Sequence, residues 1–239
     1  MKIIDKKENK IIFQAEIEDS LANSIRRYLN HISVLAIDEV EISKNDSALY
    51  DETVAHRIGL IPLKMNKSLS EGKEIKLKIN KKEGKVYSGD LKGDVEVVYE
   101  GIPITSLNEG QELTLTAIGK IGKGKDHSKF SPGLMFYRNV VDLSVDKECS
   151  PEIVDICPKN VFKSDKGKIV VENPTKCDVC EMCVEFCEKK GKGKIEFTPT
   201  KELIIQLESF GQLDLKDVLK KSIDILKKDL TEISKKINK

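Results

Sequence analysis

Residues 51–63 read Asp51-Glu-Thr-Val-Ala-His-Arg-Ile-Gly-Leu-Ile-Pro-Leu63, and more of the fold follows from them than from any other stretch of the chain. Two carboxylates open the segment, where they complement the positive end of a helix, and Val54 and Ile58 stand one turn apart on one face. Gly59 and Pro62 then stop the helix and turn the chain. The spacing therefore predicts a short helix ending at Gly59, with Asp51, Glu52, His56 and Arg57 as its polar residues. Acid–base chemistry is not expected of them. The chain has three histidines, and none is paired with a second at ligand spacing.

Working outward toward the amino terminus, Lys10 to Ile17 alternates as a strand does, and Ser20 is placed to cap a helix carrying Leu21, Ile25, Leu29 and Ile32. Arg26 and Arg27 form a charged face on that helix. Val34 to Ile42 alternates again as a half-buried strand, and the polar stretch Ser43 to Ser47 ends the block. From about Glu71 the pattern changes to short strands separated by Gly and Lys. Ile75–Ile79, Val95–Tyr99 and Leu113–Ile118 read as strands, with turns at Gly84, Gly89, Gly93 and Gly122 to Gly124. Toward the carboxy terminus, Lys201 to Glu208 reads as a strand. After Gly211 a long helix, with Asp214 as its cap, carries Leu215, Leu219, Leu226, Leu230, Ile233 and Ile237 on one stripe. Such a helix is about 30 Å long. Its stripe either packs on its own domain or calls for a partner surface.

Between these blocks lies Cys177-Asp-Val-Cys180-Glu-Met-Cys183-Val-Glu-Phe-Cys187, four of the six cysteines within eleven residues. C-x2-C-x2-C-x3-C is the spacing by which ferredoxin-type folds hold an iron–sulfur cluster. In two-cluster ferredoxins the last Cys of one motif, followed by Pro, ligates the other cluster, and Cys157-Pro158 stands where that ligand belongs. The expected ligands are Cys157, Cys177, Cys180 and Cys183, with Cys187 as the alternative. A [4Fe–4S] cluster is favoured, and a [3Fe–4S] form stays open because loss of one weak ligand can cost one iron. Structural zinc sites draw C-x2-4-C pairs from two separated knuckles, so three cysteines in strict succession favour iron–sulfur. Cys149 reads as an ordinary buried thiol or as a pairing partner for Cys187. The strand Lys168 to Val171 between the cysteines completes a ferredoxin-like half.

Composition limits the remaining classes. With 239 residues and 39% hydrophobic side chains the chain can form real cores. The 41 basic and 40 acidic residues leave a net charge of +1, which argues against a broad nucleic-acid-binding surface. The lysines from Lys120 to Lys129 are then expected in solvated loops. No stretch reaches the ~18–20 consecutive apolar residues that span a bilayer, and the start lacks the apolar core of a signal peptide, so a cytoplasmic location is expected. A polymerase active site needs clustered carboxylates for Mg²⁺, and no such cluster or phosphate-binding Gly-rich loop is present.

Three stretches taken together, Leu21-Ala-Asn-Ser-Ile-Arg-Arg-Tyr-Leu29, Ala36-Ile-Asp-Glu-Val-Glu-Ile42 and Asp51 to Leu63, resemble the family of α-like D subunits of archaeal DNA-directed RNA polymerase. That family is related to the third-largest subunit of eukaryotic RNA polymerase II and to the amino-terminal domain of the bacterial α subunit. The resemblance implies an α+β fold with a discontinuous α-subunit-like dimerisation domain (1–43 and 200–239), made of a sheet and two helices. It implies an inserted mostly-β domain over 44–145, with 190–199 assigned either to it or outside it, and a ferredoxin-like iron–sulfur insert over 146–189. The implied function is a non-catalytic assembly subunit. It would pair with the small α-like subunit L and carry the large catalytic subunits and other assembly subunits, with no direct sequence-specific DNA binding. Leu21, Ile25, Arg26, Arg27, Leu29, Leu219, Leu226, Leu230 and Ile233 would form the partner interface. The competing expectation is a ferredoxin-like electron-transfer or redox-sensing protein.

Overall fold

The structure is a computed structural model that describes residues 1–65, 74–165, 168–191 and 193–237. In chain order it runs through β1 (Lys2–Lys6), β2 (Lys10–Glu16), α1 (Asp19–Tyr28), β3 (Ser33–Asn45), α2 (Asp51–Gly59), β4 (Ile75–Tyr87), β5 (Lys92–Gly93), β6 (Pro103–Lys123) and β7 (Gly133–Val145). It continues through α3 (Ile153–Ile156), β8 (Phe162–Asp165), β9 (Lys168–Val171), α4 (Met182–Lys190), β10 (Ile195–Ser209) and α5 (Leu215–Ile237). The class is mixed α and β, with few helices set against antiparallel sheets. The chain divides into two compact units. One is formed by residues 1–6, 11–22 and 136–206, the other by 7–10, 23–135 and 207–239.

The second unit is built on a sheet of order β3-β6-β4-β5. Its buried face carries Leu35 and Ile37 from β3, Ile75, Leu77 and Ile79 from β4, and Leu113, Leu115 and Ala117 from β6. Every second residue points inward, as the pleat requires. Helix α2 covers this face with Val54 and Ile58, both fully buried, and Ile61 and Leu63 follow them into the same core. The polar residues of the 51–63 stretch hold it in place. Asn45 donates to the Asp51 carboxylate at 2.7 Å and to the Leu49 carbonyl at 2.9 Å, and the Arg57 guanidinium donates to the Ile104 carbonyl at 2.7 Å. These bonds tie both ends of a nine-residue helix to the sheet beneath it.

Several expected elements differ in the structure. Val95 to Tyr99 is not a strand of the sheet: Val95 and Val97 are buried, but among the described residues the segment pairs with the sequence-distant residues 62–64 through an isolated bridge from Leu63 to Val97. Gly122 is not in a turn. It lies within β6 opposite Val34, where the Phe130 ring occupies the space a Cβ would need. Gly84 marks a bulge inside β4, at φ 82°. Ser20 sits inside the first turn of α1, whose first backbone bonds run to the Glu18 carbonyl. The lysines of 120–129 do not all lie in solvated loops: Lys120, although exposed, belongs to β6, and Lys129, 14% exposed, pairs with Asp38 at 2.6 Å. The change of pattern placed near Glu71 falls outside the described residues.

The first unit carries the sheet of order β1-β2-β10-β7 and the β8–β9 hairpin. Gln14 donates to Glu202 at 2.6 Å, and the Thr200 hydroxyl donates to the Val140 carbonyl at 3.0 Å. Its core gathers Val141, Ile153, Val161, Phe162 and Ile195 around the cysteines Cys149, Cys177, Cys183 and Cys187. Among the described residues no helix is long and apolar enough to cross a membrane.

Candidate functional site

Four cysteines converge in the first unit. Cys157 ends α3, Cys177 ends the single turn Pro174–Lys176, Cys180 is exposed in the loop that follows, and Cys183 sits in the first turn of α4. All four line one cavity, walled by Pro158, Val161, Phe162, Met182 and Phe197. Burial pushes the Cys183 thiol up to about 11, and burial likewise raises Cys177, with the neighbouring thiols adding to both shifts. Both shifts favour the protonated thiol at Cys177 and Cys183.

The loop between Cys177 and Cys183 has an unusual backbone. Val179 and Glu181, the residues on either side of Cys180, adopt φ of 56° and 61°. A β-branched residue in the left-handed region is rare, and such conformations persist where the surroundings over-determine them, often at ligand clamps. Just before this loop, Arg138 on β7 holds the chain, its guanidinium donating to the carbonyls of both Thr175 and Cys177. Nothing in the sequence signals Arg138, because it lies 39 positions from Cys177.

The donor set is four thiols around one cavity. Thiolates sharing one zinc at 2.3 Å would lie about 3.8 Å apart. Among the described residues no three His, Cys, Asp or Glu side chains are placed to hold one metal ion. Cys187 points elsewhere. It is buried and its sulfur lies 3.2 Å from that of Cys149. Burial, and next the hydrogen bond with Cys149, push its thiol up to about 12.

The residues expected at a partner interface divide into two groups. Ile25, Leu29 and Leu226 are buried within the chain itself and Leu219 is half-buried, so these four serve the chain's own packing. Leu21, Arg26 and Arg27 are exposed, and Arg26 bonds to Asn23 at 2.9 Å. Helix α5 runs beside the turn Leu29–His31, and the Tyr28 hydroxyl donates to Asp229 at 3.0 Å. Beyond that anchor the same stripe emerges from the core. Leu230 is 56% exposed, Ile233 53% and Ile237 77%. On α2, Glu52 and His56 are exposed, as are Tyr50 just before it and Leu60 just after.

Comparison with known proteins agrees with this architecture. Residues 40–135 match the RNA polymerase Rpb3/RpoA insert domain. The chain is 33% identical to the DNA-directed RNA polymerase subunit Rpo3 of Archaeoglobus fulgidus, with 98% of this chain and 96% of that one aligned. Rpo3 of Thermococcus kodakarensis is 32% identical over 94% of this chain and 92% of its own. The rpb3 subunit of RNA polymerase II from Dictyostelium discoideum is 30% identical over 98% and 93%. The name that the archaeal relatives carry is Rpo3, and it replaces the D-type name under which the motifs were grouped.

Proposed function

The chain belongs to the Rpo3/Rpb3 family of DNA-directed RNA polymerase subunits, and on that premise we propose that it is a non-catalytic assembly subunit, a platform on which the large catalytic subunits are built. The observation that carries the reading is the divided stripe of α5. Its first half is spent on the chain's own core, and Leu230, Ile233 and Ile237 continue it in the open. A helix with this pattern is half of a helix–helix interface. Its partner is a small α-like polymerase subunit, subunit L in the archaeal family that the sequence resembles. Leu21, Arg26 and Arg27 flank that interface. Tyr50 and Leu60, on the exposed side of the 51–63 stretch, face the large subunits. Work in this setting places the protein in the cytoplasm.

Within the same proposal, Cys157, Cys177, Cys180 and Cys183 hold one iron–sulfur cluster. When bound, the cluster would cross-link α3, the 174–180 loop and α4, which are otherwise joined by packing and by the ion pairs Lys190–Glu152 and Lys159–Asp178. Arg138 fixes the loop that presents Cys177, and the walls at Phe162 and Phe197 bound the cavity on its apolar side while Cys180 stays exposed. An electron carrier is not favoured. The likeness to polymerase subunits runs along the whole chain, and a second ligand set for a relay is missing from the sequence.

Assembly of the polymerase from separately purified subunits, with this chain omitted or supplied, tests the reading. Supplied, it should bring both large subunits into one particle that elongates RNA, while alone it should incorporate no nucleotide. Assembly that proceeds equally well without it would contradict the proposal.

A further inference from the structure

One pair of nucleophiles in the first unit has no part in the cavity. Cys149 follows β7 and Cys187 lies in α4, and their sulfurs are 3.2 Å apart in a core where both residues are buried. The Cys149 thiol also faces the Lys194 carbonyl at 3.6 Å, and Gly193, at φ 70°, lies so close that a Cβ there would meet the Cys149 sulfur and backbone nitrogen at 2.7 Å. The backbone is thus held against Cys149 from one side while Cys187 faces it from the other. Two isolated thiols in a core need no such mutual approach. The segment they bracket is also particular, because residues 150–186 contain all four cavity cysteines.

We infer that Cys149 and Cys187 are a reversible dithiol–disulfide clasp that closes around the cluster-binding segment when the protein meets a peroxide. A disulfide bond is about 2.05 Å long, so closure takes each sulfur a little over half an ångström toward the other, which side-chain rotation can supply. Reached by local opening of the unit, Cys149, the sulfur that accepts the Cys187 hydrogen bond, gives up its proton as it attacks the peroxide O–O bond, forming a sulfenic acid and releasing water. The second sulfur then displaces the sulfenic oxygen; the S–S bond forms and the S–O bond breaks. Two thiols and one peroxide become one disulfide and two waters, the two electrons passing from sulfur to the peroxide oxygens. A dithiol donor reverses the step by exchange. The closed clasp covalently joins the two ends of the segment and limits its opening even when iron has been lost. The inference rests on the cluster reading only in leaving Cys187 free of iron.

The test uses the full-length chain, purified anaerobically, in two samples: as isolated, and after iron removal by a chelator. Each receives one equivalent of hydrogen peroxide, is alkylated in denaturant and is digested without reductant, and cysteine-linked peptides are quantified by mass spectrometry. The expected result in both samples is a Cys149–Cys187 peptide at least about tenfold more abundant than any other linked pair. It should be abolished by dithiothreitol and absent from Cys187→Ser. Proteolysis between the two cysteines should slow by about tenfold or more on oxidation, as loop closure limits local opening. Equal alkylation of Cys149 and Cys187 before and after peroxide would overturn the inference, as would linkage of Cys187 mainly to Cys183. Iron measured in the untreated sample reports separately on the cluster: a clasp that forms in a chain isolated without iron leaves the inference standing and removes the cluster reading.

Discussion

Truncating Leu230, Ile233 and Ile237 to alanine separates the chain's own stability from its pairing. These side chains are 56%, 53% and 77% exposed, which together amounts to about two full side chains left in water. Burying a Leu or Ile side chain that was exposed contributes about 1.5–3 kcal/mol, so a partner covering this stripe gains about 3–5 kcal/mol from it. At 1.4 kcal/mol per tenfold, the triple variant should bind the small α-like subunit about 10²- to 10⁴-fold more weakly. In the isolated chain the same changes remove little, about 0.5 kcal/mol or less at each exposed position. Leu226→Ala, four residues earlier on the same stripe but 8% exposed, is the internal control. It should cost the isolated chain about 2–5 kcal/mol. Titration calorimetry for pairing and thermal melting of the isolated chain read the two quantities apart. Affinity of the triple variant within threefold of the parent would refute the reasoning, as would a large loss of stability in its isolated form.

Other expectations follow from the same geometry. Ile58→Ala should destabilise the unit containing residues 23–135 by about 2–5 kcal/mol, seen as a lowered denaturation midpoint, because Ile58 is fully buried beneath α2. Cys183→Ser should abolish iron binding, measured by iron and sulfide analysis, while leaving pairing with the small subunit intact; if pairing is also lost, the cysteine unit supports the whole fold. Arg138→Met should weaken iron retention by about 10–100-fold, read as iron released to a chelator, since the carbonyls of Thr175 and Cys177 lose the group that positions them. The Lys129 ammonium, donating to Asp38, holds that carboxyl below the usual carboxylate range, so the pair contributes its stability above about pH 4 and loses it as pH falls through the lowered folded-state value. Asp38→Asn should therefore cost about 1 kcal/mol at pH 7 and progressively less in acid, measured by urea denaturation across pH.

What is legible in the sequence is what local chemistry determines. The 51–63 helix is readable because its carboxylates, its apolar pair and its Gly and Pro stops act within one short segment, and α2 ends at Gly59 as those signals require. The two long strands β4 and β6 show in the sequence only as fragments. Their charged positions, such as Lys81 and Lys82, interrupt the apolar alternation while the backbone ladder continues past them. Val95 and Val97 alternate because both are buried, yet their neighbours in the ladder are residues 62–64, a tertiary arrangement that no local pattern encodes. Gly122 gives the same signal as a turn glycine, whereas its small size serves the close approach of the Phe130 ring.

The site is legible to the extent that ligand spacing is local. Cys177, Cys180 and Cys183 are fixed by one loop, and Cys157 is marked by the proline that follows it; all four line the same cavity. The contact of Cys187 with Cys149 spans 38 positions, and the sequence leaves Cys187 open as either a ligand or a thiol partner until packing brings the sulfurs together. The stripe on α5 reads as continuous, and its division at Asp229 has no local signal, because only the bond from Tyr28 marks where the chain's own core ends.

Native mass spectrometry of the chain co-expressed anaerobically with a small α-like polymerase subunit tests the central claim most directly. The account predicts a one-to-one heterodimer whose mass includes a single iron–sulfur cluster. A chain that flies alone, with its partner present in the same solution, would contradict it.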